Sequence, residues 1–181
     1  MALSFVFIIA LTFCVETAST AFNVEAKNSW GRNFLFVCAL AFGQGLFYYL
    51  GGLLGGTFMP KFDSIAKIVV LVLCFMIAFR TITDTLKIKS GKNLFLIDRK
   101  KHILILAIAL GINQFIAGLM SNEAFLPLFG SKTPLYISGF GIFWGLIGIG
   151  TKFSQIKLLI NSLGNVLAAL AILAVGIVAL F

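Results

Sequence analysis

Three ionisable residues stand out inside apolar stretches of this chain: Glu16, Arg80 and Asp84. A charge at the middle of a membrane span costs about 2.5 to 3.5 kcal/mol on insertion scales, so each needs a partner or a use. Arg80 and Asp84 are four apart, hence on one helix face and able to pair. The plain reading is an ion pair within the helix, its arginine reaching toward the interface. The functional reading is a charge held beside a transport path. Glu16 opens the polar run Glu16-Thr17-Ala18-Ser19-Thr20 and has no basic neighbour on its own segment. It must be protonated, meet Arg80 from another segment, or hold a cation. Because burial and a nearby cation act on a carboxyl in opposite senses, the same position also suits a proton-coupled step.

Uncharged amides extend the set: Gln44, the adjacent Asn113 and Gln114, and Asn161. Amide and carboxylate oxygens are the donors that hard divalent cations prefer, while amides also tie membrane helices together by hydrogen bonds of about 1 kcal/mol. Their spread over separate segments favours a shared interior site. Glu123, in Ser121-Asn122-Glu123, reads as a wet residue at a segment end. The single His102 follows Lys100 and Lys101, and no phosphate loop, nucleophile elbow or paired-histidine motif accompanies it. No enzyme and no cofactor are expected. Cys14, Cys38 and Cys74 lie in apolar stretches without C-x-x-C spacing, which makes them small buried hydrophobes, not a disulfide or thiolate-metal framework.

The elements that must position these residues are membrane helices. Only 11% of the residues are charged and 60% are hydrophobic, with a mean hydropathy of +1.08, against about 25% charged in soluble domains. Apolar stretches long enough to span a bilayer run over 3–22, 33–57, 65–86, 102–120, 134–153 and 157–181. Runs such as 68–78 and 166–181 do not alternate in polarity, which excludes barrel strands. The first stretch lacks a basic leader and contains Glu16, so it reads as a span and not as a secretory signal. The expected class is an all-α integral membrane protein of six transmembrane helices.

The net charge of +8 sets orientation and does not point to nucleic acid. Lys27, Arg32, Lys87, Lys89, Lys92, Arg99, Lys100, Lys101, Lys152 and Lys157 lie by the connections after spans one, three and five, whereas Lys61, Lys67 and Lys132 lie on the opposite side. Ten against three puts the odd connections in the cytoplasm and both termini outside. The basic connection can also attract anionic lipid headgroups. It covers 91–101 and divides the chain into 1–90 and 102–181, three spans each. An odd number of spans per block makes the blocks run in opposite directions, the inverted-repeat plan of many transporters. Ile9-Ala10-Leu11 recurs as Ile108-Ala109-Leu110, and the middle span of each block is glycine-rich. Gly51 with Gly55, Gly52 with Gly56 and Gly141 with Gly145 have the four-residue spacing that lets helix backbones approach closely, within the chain or at a homo-oligomer seam.

Arg80-Thr81-Ile82-Thr83-Asp84, Gln44 followed by Gly51, Asn161-Ser162-Leu163-Gly164 and Glu16, taken in order, resemble the small bacterial manganese efflux pumps of the MntP type, within the lysine-exporter superfamily. The likeness extends over nearly the whole chain. It implies a secondary transporter of the bacterial inner membrane that exports a manganese-like divalent cation, with Glu16, Gln44, Arg80, Asp84, Asn113 and Asn161 along the path. Glu16, Asp84 and Asn113 are the implied metal ligands. The chain departs from the family where Asn113 replaces an aspartate and Asn161 a glutamate. Ligand charge sets affinity for hard dications, so the missing carboxylates imply weaker binding or another cargo. A membrane scaffold or complex subunit with a degenerate ion site, and a transporter of a small organic solute, are the rival expectations.

Overall fold

The computed structural model describes residues 13, 15–21, 30–89, 100–120, 132–150 and 155–181, with side chains excepted at 63, 87–89, 100 and 155–161. Cys14, Glu123, the Ile9-Ala10-Leu11 motif, most of the basic connection and the side chain of Asn161 lie outside that description.

Six helices make up the described chain, which contains no strand. The first, α1, is described over 15–21. It is followed by α2 (Trp30–Phe58), a 3-10 turn (Met59–Ile65), α3 (Ala66–Lys89), α4 (Lys100–Met120), α5 (Thr133–Gly150) and α6 (Gln155–Val178). The bounds of α2 to α6 fall within a few residues of the apolar stretches read from the sequence, with α2 starting at Trp30 instead of residue 33; the start of the first stretch lies outside the described residues. Pro60 explains where α2 stops, since it has no backbone N–H to continue the ladder. The turn that follows kinks at Phe62 (φ −114°, ψ 24°) before α3 begins. Pro134 sits in the first turn of α5, where a missing N–H is harmless.

Four helical stretches are long and apolar enough to cross a membrane: Trp30–Phe62, Ala66–Leu86, Lys101–Met120 and Thr133–Gly150. A shorter apolar stretch, Ser162–Val178, belongs to α6. Large apolar side chains such as Phe42, Leu53, Phe75, Phe79 and Phe143 face outward, while Gln44, Asn113, Gln114 and Asn165 are buried. That is the polarity of a membrane-embedded helical protein, whose apolar outside meets lipid and whose polar groups pair inside.

The helices pack in specific pairs. α2 lies chiefly against α4 and α5, and α3 against α6. Along the α2–α4 seam Gly43 meets Ala107, Gly51 meets Phe115 and Gly118, and Gly55 meets Leu119, so these two helices run the same way. Gly45 against Pro134 and Val37 against Gly145 show α5 running opposite to α2. Lys67 Nζ donates to the Leu180 carbonyl at 3.1 Å, and Cys74 meets Gly176, so α6 is antiparallel to α3.

Two apolar clusters result. One gathers Phe13, Tyr48, Met59, Val70, Cys74, Ile77, Ile116, Met120, Ile172 and Val175, drawn from α1, α2, α3, α4 and α6. The other gathers Phe36, Val37, Leu40, Ile103, Leu106, Ala107 and Leu110, with Ile142, Leu146 and Ile149 packed on it from α5. On α2 and on α4 the clusters lie on opposite sides of a polar stretch: Gln44 separates Leu40 from Tyr48, and Asn113 and Gln114 separate Leu110 from Ile116.

Candidate functional site

That polar layer centres on α1. Residues 16, 17 and 19 project from little more than one helical turn, in three directions, because successive helical residues are about 100° apart. Glu16 faces α4, where Asn113 Nδ2 donates to its Oε1 at 2.6 Å. Thr17 faces α2, and Gln44 Nε2 donates to its Oγ1 at 2.8 Å. The Thr17 hydroxyl proton has two acceptors in reach, the Phe13 carbonyl at 2.8 Å and Gln44 Oε1 at 3.0 Å. Ser19 faces α6, where Asn165 Nδ2 donates to its Oγ at 2.8 Å. Three polar ties therefore join one turn of α1 to three other helices.

Gln44 is 1% exposed and Asn113 wholly buried. α5 contributes backbone instead of a side chain here. A Cβ built at Gly141 would lie 3.2 Å from Gln44 Oε1, so glycine leaves the amide its place. Several amide atoms in the layer have no protein partner: Asn113 Oδ1, Asn165 Oδ1, and both Oε1 and Nε2 of Gln114. Buried amides without partners are uncommon, since each lost hydrogen bond costs about 1 to 3 kcal/mol.

α3 supplies charge from one side. Arg80 Nε lies 3.8 Å from Asp84 Oδ2 on the same helix, and both residues are partly exposed. Arg80 Nη2 donates to the Ala109 carbonyl of α4, one turn before Asn113. Thr81 and Thr85, also buried, bond within α3, with Thr85 Oγ1 donating to the Thr81 carbonyl at 2.7 Å.

Of the residues singled out in the sequence, Glu16 and Asn113 are in contact, and Gln44 lies beside them through Thr17. Arg80 and Asp84 form a pair that reaches the same region from α3. Asn161 lies on α6, one turn before Asn165, and its side chain is not described. Asn165 was missed, although its spacing of four from Asn161 places the two amides on one helix face. Among the described residues no group of three or more His, Cys, Asp or Glu gathers into a metal cluster. Cys74 is buried and its Sγ lies 3.6 Å from Met120 Sδ, while Cys38 is partly buried. Comparison with family models, curated proteins and solved structures found no match to this chain.

Proposed function

We propose that the protein is a secondary transporter that exports a small cation, with a manganese-like divalent ion as the leading cargo, by alternating access across two inverted blocks of three helices. The observation that carries this reading is a polar layer with Glu16 at its centre, closed between two apolar clusters. Transporters hold their cargo near mid-membrane where the two halves meet, and an ionisable residue there is ordinarily functional.

The helix pairing supports two inverted blocks. If α1 to α3 correspond to α4 to α6, then α2 with α5 and α3 with α6 are matched pairs, and both pairs pack antiparallel. The Glu16–Asn113 contact joins the remaining matched pair, α1 and α4. Under the charge rule, the Phe36 to Leu110 cluster seals the cytoplasmic side and the Phe13 to Val175 cluster the outside. Export then consists of opening the inner seal, binding cargo at Glu16 with amide oxygens from Asn113 and its neighbours, closing, and opening the outer seal. Arg80, paired with Asp84 and bonded to the Ala109 carbonyl one turn before Asn113, balances the carboxylate when no cargo is bound. An arriving cation competes with that interaction, which couples occupancy to the position of α3.

A second reading, transport of a small organic solute, draws on the lack of a three-ligand metal cluster among the described residues and on the neutral amides. One experiment separates the readings. Purified protein in liposomes is assayed for manganese flux, and cells are assayed for manganese content with and without the gene. Flux by the natural protein, abolished in Glu16→Gln, is the expected result. Unchanged metal content on deletion together with silent liposomes removes the cation reading and leaves a solute or a structural role.

A further inference from the structure

Among the described residues, Gln114 is the most anomalous side chain. It lies about two thirds of the way along α4, is 0% exposed, and neither its Oε1 nor its Nε2 meets a hydrogen-bonding partner from the protein. Its neighbours one turn away explain its direction. Gly111 abuts the Phe47 ring, and Gly118 abuts the Tyr48 carbonyl and the Gly52 nitrogen, so this face of α4 looks onto α2. Gln114 is thus aimed into the α2–α4 seam, one residue along from the Asn113 that bonds Glu16.

A buried amide with both ends unpartnered is costly in any interior. Leucine or methionine would fill a comparable volume at this place without that penalty. Gln44, the other buried glutamine of the layer, has its partner in Thr17, so the protein can satisfy a buried amide. The two ends of Gln114 need opposite things, a donor for Oε1 and an acceptor for Nε2. Water is the smallest molecule that offers both, and buried waters ordinarily serve polar groups left over by the protein.

We infer that Gln114 is a water-binding residue, and that the polar layer is hydrated at this point although apolar clusters close it on both sides. Asn113 Oδ1, an adjacent acceptor without a protein partner, is a natural second contact for the same hydration. The inference concerns the protein at rest and does not depend on the identity of any cargo. Its consequence is that Glu16, bonded to Asn113, stands next to internal water that can carry a proton or complete the shell of an ion.

The test uses the full chain in detergent or lipid without added cargo. Gln114→Met is compared with the natural protein for thermal stability, and the natural protein is subjected to radiolytic hydroxyl labelling, which marks side chains beside bound water even when bulk solvent cannot reach them. The expected results are a Tm for Gln114→Met that is unchanged or lower, and labelling of Phe47 or Tyr48 across the seam. A Tm raised by about 4 °C or more, as relief of two bare polar atoms would give, overturns the inference. So does an absence of labelling at the seam, which is measured on the natural protein and counts whether or not the variant folds.

Discussion

Glu16, Thr17 and Ser19 each bind a different helix, so the short polar run of α1 works as a three-way junction. The Ser19–Asn165 tie tests how much such a contact contributes. A double-mutant cycle with Ser19→Ala and Asn165→Leu should return a coupling of about 0.6 to 1 kcal/mol, in line with interhelical bonds in membranes. Because Asn165 Oδ1 has no protein partner, the double variant should be nearly as stable as the natural protein, with Ser19→Ala alone the less stable of the two. Equilibrium unfolding in mixed micelles measures both quantities, and zero coupling would mean the bond is idle. Glu16 was legible in the sequence because a carboxyl in an apolar run is expensive wherever the chain goes. Asn113 was grouped with it only as one of several amides and through the family resemblance, since the two lie 97 positions apart and nothing local couples them. Asn165 escaped notice for a related reason: an amide among alanines and leucines costs little enough to pass as packing.

At the level of elements, glycine decides how close α2 and α4 come. Any side chain at Gly118 meets the Tyr48 carbonyl, and any side chain at Gly51 meets that of Phe115. The collisions are with backbone, which cannot swing aside. Gly118→Val should therefore destabilise by about 1 to 3 kcal/mol or more and push the seam apart, whereas Gly56→Val, with nothing within 4 Å of its Cβ position, should be close to neutral. Thermal denaturation of both variants checks the contrast. The four-residue glycine spacing signals close approach from the sequence alone, but it does not name the neighbour approached. Gly51 and Gly55 turn to α4, Gly141 and Gly145 turn to α2, and Gly56 turns away from the protein. The four long apolar helices Trp30–Phe62, Ala66–Leu86, Lys101–Met120 and Thr133–Gly150 were legible because lipid demands long apolar helices. The pairing of those helices was not, because all of them are apolar nearly all round and no stripe of polarity marks the inner face.

For the whole molecule, orientation decides which apolar cluster faces which compartment, and charge is the only guide to it in the sequence. The positive-inside rule places the α2–α3 turn outside and the start of α4 in the cytoplasm. Lys61 and His102, both exposed, report on those two places. In a variant with Cys14, Cys38 and Cys74 replaced by alanine, Lys61→Cys should react with a membrane-impermeant maleimide on intact cells, and His102→Cys only after permeabilisation. The opposite pattern would turn the molecule over, making the Phe36 to Leu110 cluster the outer seal and reversing the sense of transport argued from it. Labelling of both from one side would mean that α3 does not cross, and the antiparallel match of α3 with α6 would lose its meaning as a repeat. The expected pattern instead fixes α2 and α3 as opposed spans. Because α4 runs parallel to α2 in the fold, the second block then enters the membrane from the cytoplasm while the first enters from outside.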